Sequence, residues 1–256
     1  MSARVVLRHP SPRPNAHAVC DRDVVCLWWA NLDWTENEIA SAWFELSPDE
    51  RERADRYRRP IDRTRFIAAR TCLRRILSSY LGLPPDLITF ECGPNGKPRL
   101  TTDFAKHNVH FNVAHSQELA VFAIAVGQEV GVDLERIQST VRCLELAAHF
   151  FAREEQRALE ALAAENRVQG FYRCWTRKEA YLKALGAGLS LPLDSFVVSL
   201  SQEDMPICVR DSLRSPNCCT LMDISPNPNF AAALAILNPP KPSHAWCSSP
   251  GLDQAM

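Results

Sequence analysis

The stretch FYRCWTRKEAYLKAL, residues 171–185, has the spacing of a helix that carries charges at the edge of an apolar face. Glu179 and Lys183 stand four residues apart, which places them one turn apart on one side of a helix. Trp175 and Leu182 form an apolar stripe beside them. A Glu–Lys pair at this spacing is also the commonest helix-stabilising pair, worth only about 0.2–0.5 kcal/mol. The helix alone therefore does not establish a functional site.

Two apolar segments upstream of this helix predict a β-hairpin. Leu119–Val126 and Val130–Glu135 have the composition of strands, and a glycine-containing turn separates them. Alternate side chains of a strand share a face, so Asp133 and Glu135 point to one side. Neighbouring carboxylates repel each other unless a cation or a proton lies between them, and Mg²⁺ binds carboxylate oxygens. Glu179 would complete such a metal site, although a carboxylate pair on a strand is more commonly a solvated face.

Lysine is scarce in this chain, and its positions are informative. There are five lysines against twenty-four arginines, and Lys97, Lys178 and Lys183 all fall in distinctive local motifs. Lys97 lies in the turn-rich loop Gly93–Pro98. A lysine presents a compact point charge, which suits a phosphate group. These lysines are therefore candidate phosphate ligands.

Several motifs occur in a distinctive order along the chain. They are Gly96-Lys-Pro98, Phe111-Asn-x-x-His-Ser116, Gly131-Val-Asp-x-Glu135, Phe150-Phe-x-x-x-Glu155, Trp175-x-x-Lys-Glu-Ala-x-x-Lys183 and Gly188-Leu-Ser-Leu-Pro-Leu-Asp-Ser-Phe196. In this order and spacing the motifs together resemble one enzyme family, the 4′-phosphopantetheinyl transferases of the Sfp type. The resemblance runs from about Leu46 to about Leu237. It implies a Mg²⁺-dependent enzyme that transfers the 4′-phosphopantetheine group of coenzyme A to a serine of an acyl or peptidyl carrier protein and releases 3′,5′-ADP.

The resemblance also implies roles for individual residues. Asp133, Glu135 and Glu179 would bind Mg²⁺, with Mn²⁺ as an alternative, and Lys183 would contact the pyrophosphate. The residues implied to bind coenzyme A are Arg53, Arg65, Lys97, His115, Lys178 and Lys183, with Arg53, Arg65 and His115 at the 3′-phosphate and Lys97 at the adenine and phosphate edge. Outside its motif, His115 would equally suit an interior position.

The transfer needs a base for the carrier serine, and two glutamates are candidates. Glu155 matches an acidic residue that the family has near the metal, and Glu179 is its competitor. With Lys183, these are the residues implied to be catalytic. Either glutamate would also suit a purely structural position.

The chain departs from the family pattern at two positions. Ala114 stands where the family usually has serine, so a hydroxyl contact to phosphate would be missing, and Ala114→Ser is expected to tighten coenzyme A binding or leave it unchanged. Glu50 stands where the family has a basic residue, so one contact to the 3′-phosphate is in doubt unless Arg51 replaces it.

The resemblance implies an α+β fold made of a pseudo-twofold pair of similar halves, each a small, mostly antiparallel sheet packed on a long helix, with the active site in the cleft between them. We expect a flexible segment at residues 1–20, an N-terminal half at 21–112, a C-terminal half with the metal site at 113–238 and a flexible tail at 239–256. The patterns predict helices after Ser47 and at about Arg63–Leu81, Val141–Phe151, Glu154–Ala164 and Gln169–Leu185, and strands at Phe196–Leu200, Ile207–Val209, Thr220–Met222 and Phe230–Leu237.

Composition agrees with a cytoplasmic enzyme. The chain has 256 residues, is 46% hydrophobic and has a net charge of −1. It shows no membrane-spanning run or signal peptide, and its ten cysteines lack the spacing of a metal site or disulfide framework. We expect a monomer that acts on carrier proteins and coenzyme A, without nucleic acid or membrane partners.

Two alternatives remain open. Ten arginines between Arg51 and Arg75 resemble a nucleic-acid face locally, but acidic residues are interspersed, and a charged helix face explains most of them. The same three carboxylates would also suit another Mg²⁺ enzyme, such as a nuclease or phosphate hydrolase. A non-catalytic partner of a carrier protein or an RNA is the third hypothesis.

Overall fold

The fold is α+β, and its described residues form two main sheets and two long helices. The computed structural model describes residues 4–8, 24–93, 95–201, 210–211 and 219–237. The strands are β1 (Arg4–Arg8), β2 (Val24–Asn31), β3 (Phe90–Cys92), β4 (Pro98–Leu100), β5 (Val109–Ser116), β6 (Leu119–Val126), β7 (Val130–Arg136), β8 (Phe196–Val197), β9 (Arg210–Asp211), β10 (Cys219–Asp223) and β11 (Phe230–Leu237). The α-helices are α1 (Glu36–Ala42), α2 (Pro48–Asp55), α3 (Pro60–Leu81), α4 (Cys143–Phe150), α5 (Arg153–Glu160) and α6 (Arg167–Leu185).

Each half of the chain contributes one main sheet. The first has the strand order β1-β2-β6-β5 and the second has the order β10-β11-β7. All neighbouring pairs are antiparallel except β1 and β2. Two short ribbons, β3 with β4 and β8 with β9, accompany them.

The predicted hairpin between β6 and β7 is wrong. β6 pairs with β2 and β5, whereas β7 pairs with β11, more than ninety residues further along the chain. The turn that contains Gly127, whose φ is 76°, carries the chain from one sheet to the other. The hairpin of this region is instead β5–β6, closed at Gln117, a non-glycine residue with a φ of 53°. An apolar strand fits several neighbours equally well, so composition did not identify the partner.

Both faces of each main sheet are buried. In β6, Phe122 and Ile124 pack toward α3, while Val121 and Ala123 join a core between the two sheets. β11 alternates in the same way between α6 and the shared core. A strand covered on both sides is apolar along its whole length, which explains the uninterrupted apolar runs of β6 and β11.

The long helices end at the predicted residues and begin two or three residues before the predicted ones, α3 at Pro60 and α6 at Arg167. α3 has Pro60 in its first turn and ends at Gly82 in the left-handed conformation, and its apolar residues face the first sheet. α6 ends in the same way at Gly186, with a φ of 64°. α2 begins after Ser47, whose amide donates to the Glu50 carboxylate at 3.1 Å.

Two of the expected divisions of the chain can be compared with the positions of the strands. Asn112, proposed as the end of the N-terminal half, lies inside β5, and the change of sheet occurs between β6 and β7. The segment 1–20 is not loose throughout, because Arg4–Arg8 forms β1 beside β2. Residues 9–20, the tail from 239 and the predicted strand at Ile207–Val209 lie outside the described residues.

Candidate functional site

The candidate site is built on a close contact between β7 and α6. Gly131 faces α6, and a Cβ at this position would lie 2.1 Å from the carbonyl oxygen of Ala180 and 2.3 Å from the amide nitrogen of Ala184. Only glycine allows the two backbones to approach so closely. Because alternate residues of a strand share a face, Asp133 and Glu135 lie on this same side of β7.

The strand carboxylates meet the charges of α6 here. Lys183 Nζ lies 2.6 Å from Asp133 Oδ1, and Asp133 is buried, with 4% of its surface exposed. Desolvation by burial raises the pKa of Asp133, although Lys183 opposes the shift. Burial and the charge of Asp133 also raise the pKa values of Glu135 and Glu179. The three side chains, which we call the acidic trio, therefore interact with one another.

The acidic trio fits a hard divalent cation. Asp133 Oδ2 is buried without a hydrogen-bond partner among the described residues, so an acceptor oxygen is available on the site. In that part of the chain, no three His, Cys, Asp or Glu side chains are gathered closely enough to form a complete metal-binding cluster. Mg²⁺ commonly takes only one or two carboxylates and completes its shell with water and substrate phosphates. The donor set suits such a partial site.

A cationic group adjoins the acidic trio. His115, at the end of β5, is exposed, and partial desolvation together with the charges of Lys183 and Arg65 lowers its pKa. Arg65, on α3, donates to both carboxylate oxygens of Asp33 at 2.7 and 3.2 Å and to Gln117 Oε1 at 3.3 Å. The sequence had no pattern that indicated these two partners of Arg65. The first half of the chain thus supplies Arg65 and His115, and the second half supplies Lys183, so that basic side chains of both halves lie near the acidic trio.

Arg53 remains on the surface of α2. Its guanidinium stacks on Phe66 at 5.2 Å and forms no ion pair with the described residues. Arg51, the suggested replacement for a missing cation, instead donates to the carbonyls of Trp43 and Phe44. Seven of the ten arginines between Arg51 and Arg75 pair with acidic side chains, as a charged helix face would.

Lys97 lies at the C-terminal end of α6 and is engaged by protein groups. Its Nζ donates to Glu129 Oε2 at 2.7 Å, to the Val130 carbonyl at 3.1 Å and to the Ala184 carbonyl at 3.3 Å. Nearby, Asn95 donates to the Gly186 carbonyl at 2.8 Å. A cation suits the carbonyl-rich end of a helix. The loop that contains Asn95 and Lys97, in the N-terminal half, therefore binds the C-terminal end of α6.

Glu155 and Lys178 lie in the interior of the C-terminal half. Among the described residues, neither side chain bonds to a member of the acidic trio. Lys178 Nζ lies 2.8 Å from Glu155 Oε2, and the two side chains are 0% and 1% exposed. Glu155 also accepts from the amides of Ala152 and Val198, each at 2.8 Å. Lys178 donates to two carbonyls, those of Leu193 and Phe196. The pair connects α5, α6 and β8, and the interpretation of these residues as base and coenzyme A ligand receives no support from this placement.

The two departures from the family pattern lie in the interior. Glu50 is 3% exposed and pairs with Arg70 at 2.6 Å and with Arg74 at 2.7 Å, so it serves as a buried counter-ion. Ala114 is buried in the core between the sheets, on the face of β5 opposite to His115. A hydroxyl at position 114 would therefore point into the protein, and the expected effect of Ala114→Ser on phosphate binding loses its basis.

Sequence reasoning missed the roles of two residues in the Phe111–Ser116 motif. Asn112 Oδ1 accepts from the amide of Val132 at 2.8 Å. Ser116 Oγ donates to Glu135 Oε2 at 3.2 Å. The position of Ser116 directly after His115 was the only available signal. Both residues reach across from β5 to β7, the strand that carries the carboxylates.

Among the described residues, no helix combines the length and the apolar character that a bilayer crossing requires.

Comparisons with known proteins assign the family. Residues 31–127 match the family described as 4′-phosphopantetheinyl transferase, N-terminal, and residues 129–235 match the 4′-phosphopantetheinyl transferase superfamily. The 4′-phosphopantetheinyl transferase HetI of Nostoc sp. is 36% identical over 227 residues, which cover 89% of this chain and 92% of the relative. The 4′-phosphopantetheinyl transferase Sfp of Bacillus subtilis is 30% identical over 211 residues, or 82% and 90% of the two chains. The chain therefore belongs to the 4′-phosphopantetheinyl transferase family.

Proposed function

We propose that the site between β7, α6 and the end of β5 transfers the 4′-phosphopantetheine group of coenzyme A to a serine of a carrier protein. The serine oxygen attacks the β-phosphorus, the bond from that phosphorus to the bridging oxygen breaks, and 3′,5′-ADP leaves. The observation that carries this proposal is the contact of Asp133 with Lys183, beside Glu179 and the cationic group of Arg65 and His115. Acidic and basic side chains meet there, as a metal-bound polyphosphate requires.

The acidic trio would hold the metal ion, which we propose to be Mg²⁺ or Mn²⁺. The unpartnered Oδ2 of Asp133 and the oxygens of Glu135 and Glu179 are the available donors. When bound, the ion supplies positive charge that neutralises the phosphates during transfer. Lys183 is proposed to contact the pyrophosphate, and the contact of its ammonium with Asp133 supports this role.

Arg65 and His115 are proposed to hold the 3′-phosphate. Asp33 fixes the Arg65 guanidinium by a two-oxygen contact, and Lys183 and Arg65 make the surroundings of His115 positive. An anion here would balance the positive charges of Lys183 and Arg65 and would favour the protonated form of His115. Arg53 stays in the proposal as a weaker, exposed contact, whereas Lys97 and Lys178 are proposed to be structural.

Glu179 is the better candidate for the base. Glu155 is buried, with 1% of its surface exposed, and its carboxylate is already held by two amides and an ammonium, so the hydroxyl of a carrier serine has no access to it. Glu179 is only half-buried and lies beside Asp133. We therefore propose that Glu179 accepts the proton, directly or through a water molecule.

We further propose that the enzyme acts as a monomer in the cytoplasm, on acyl or peptidyl carrier proteins. Both halves that build the site belong to one chain, so a second copy is not needed to complete it. The described cysteines are free thiols, the form that a reducing compartment maintains.

The direct test is intact-mass spectrometry of an apo carrier protein after incubation with the enzyme, coenzyme A and MgCl₂. We expect a mass gain of one phosphopantetheine group, which EDTA abolishes and MnCl₂ restores. Asp133→Asn should remove the gain, while Asp49→Asn on the surface of α2 is the matched control and should retain it. Release of inorganic phosphate or cleavage of a nucleic acid without a change in carrier mass would support the other Mg²⁺ enzymes instead. Carrier binding that survives Asp133→Asn, without any mass gain from wild type, would favour a non-catalytic partner.

A further inference from the structure

The edges of the two main sheets meet at β5 and β7 without main-chain pairing. β5 ends the first sheet and β7 ends the second, and the described residues show no ladder between them. Side chains of β5 replace the ladder. Asn112 Oδ1 accepts from the Val132 amide at 2.8 Å, and Ser116 Oγ accepts from the Arg136 amide at 3.0 Å.

The spacing of these contacts fits strand geometry. Asn112 and Ser116 are four residues apart on one face of β5, and the two amides they accept from are four residues apart on β7. The strands are therefore joined at two points on either side of Asp133. Buried amides at a sheet edge need such acceptors.

Ser116 makes a second contact, which is not needed to join β5 to β7. A hydroxyl has one proton and two lone pairs. Since its oxygen accepts from the Arg136 amide, its proton is free to be donated to Glu135 Oε2, 3.2 Å away. Among the described residues, Ser116 is the only hydrogen-bond partner of the Glu135 carboxylate.

We propose that Ser116 is a positioning residue that holds Glu135 in the acidic trio. Glu135 experiences the negative charges of Asp133 and Glu179, which favour a rotamer pointing away from them. The hydroxyl of Ser116, fixed by a backbone amide next to Glu135, opposes that movement. This proposal rests on the metal-binding role proposed above.

The test measures metal binding by the full-length protein without substrate. Mn²⁺ is titrated into the enzyme and free ion is followed by electron paramagnetic resonance, for wild type, Ser116→Ala, Ser116→Thr and Asp133→Asn. The matched control is Ser225→Ala, because Ser225 Oγ also accepts from a backbone amide, that of Ala232 at 3.0 Å, but its hydroxyl has no carboxylate partner among the described residues. Thermal unfolding of each metal-free variant is recorded in parallel.

We expect Ser116→Ala to weaken Mn²⁺ binding by about 10- to 100-fold, the usual effect of losing a group that orients a metal ligand. Ser116→Thr keeps the hydroxyl and should bind like wild type, as should Ser225→Ala. Both alanine variants should lower the melting temperature to a similar extent, so a difference in Mn²⁺ affinity between them is not a stability effect.

Two results would overturn the proposal, and they are distinguishable. If wild type binds Mn²⁺ through Asp133 and Ser116→Ala binds it equally well, Ser116 belongs to the strand joint only. If wild type binds no Mn²⁺, or Asp133→Asn binds it unchanged, the metal assignment itself fails. Should Ser116→Ala not fold, Ser116→Cys replaces it, because a thiol is nearly isosteric but a weak donor, and affinity equal to wild type would again refute the proposal.

Discussion

Gly131 and Ala180 are in such close contact that a Cβ on the glycine would lie 2.1 Å from the alanine carbonyl oxygen. This approach sets the distance between β7 and α6, and with it the contact of Asp133 with Lys183. The close packing of α6 on β7 therefore explains why the Gly-Val-Asp-x-Glu motif begins with a glycine. This glycine precedes Asp133 and Glu135 because α6, which supplies Lys183, crosses the strand at that point.

We predict that Gly131→Ala separates β7 from α6. Relieving the overlap would cost about 1–3 kcal/mol or more of unfolding free energy, because backbone atoms of α6 would have to move. Transfer activity should fall beyond the loss of folded protein, since the acidic trio and Lys183 would also separate. Urea unfolding and carrier-modification kinetics measure the two effects. Gly93→Ala is the matched control, because its Cβ would make an ordinary contact, 3.4 Å from the Lys97 carbonyl. Equal behaviour of the two variants would contradict the prediction.

The sequence predicted those features that depend on local periodicity. The end of α6, the strand β11 and the shared face of Asp133 and Glu135 follow from spacings of 3.6 and 2 residues, and the structure agrees with them, although α6 begins two residues before the predicted Gln169. The partner of β7 was wrong, because an alternating or apolar strand does not encode its neighbour. Glu50 and Glu155 were interpreted as site positions, because their partners lie 20 or more residues away and leave no local pattern. Distant ion pairs of this kind become visible only in three dimensions.

The buried pair of Glu155 and Lys178 gives a second prediction. Removing one member of a buried ion pair costs about 3–5 kcal/mol, because the other charge stays buried without compensation. Glu155→Gln should therefore lower the unfolding free energy strongly, while the turnover of the folded fraction and its pH profile stay near those of wild type. Urea unfolding together with active-site-normalised kinetics tests this.

The double variant Glu155→Leu with Lys178→Met is the control for this pair. It removes both charges, so we expect a smaller loss of stability than the sum of the single variants. If Glu155 were the base, turnover of Glu155→Gln would fall by roughly 10²–10⁴-fold. Such a loss in fully folded enzyme would return Glu155 to the catalytic role.

Glu50 gives a third prediction, which concerns its apparent departure from the family pattern. Its carboxylate lies between Arg70 and Arg74, and Arg74 also donates to the carbonyls of Pro85 and Ile88. A lysine at position 50 would bury a third positive charge beside two others. We expect Glu50→Lys to prevent folding, and not to restore a contact to coenzyme A.

Soluble yield, circular dichroism and coenzyme A titration check this expectation. The matched control is Glu52→Lys, two residues away, which loses an exposed pair with Arg56 and should cost less than about 1 kcal/mol. A folded Glu50→Lys enzyme that binds coenzyme A more tightly than wild type would show that position 50 belongs to the site.

The ion pair between Lys97 and Glu129 gives a prediction about how the stability of the fold depends on pH. Burial opposes ionisation of Glu129, but hydrogen bonds from His110 and Lys97 outweigh it and lower its pKa from 4.5 to about 2. A carboxyl group whose pKa is lower in the folded state stabilises the fold above its unfolded pKa, and this contribution disappears as pH falls through the folded pKa. The stability difference between wild type and Glu129→Gln should thus be full above pH 4.5 and shrink between pH 4.5 and 2.

Urea unfolding of both proteins from pH 7 down to pH 3 measures this difference. Glu91→Gln is the matched control, because it removes an exposed pair with Arg99 and should change stability by less than about 1 kcal/mol throughout. Coenzyme A titration of Lys97→Met completes the test. If Lys97 has only a structural role, as the partner of Glu129, then Lys97→Met and Glu129→Gln should weaken coenzyme A binding to the same small extent, because each variant loosens the end of α6. A large loss confined to Lys97→Met would show that the ammonium leaves Glu129 and contacts the ligand itself.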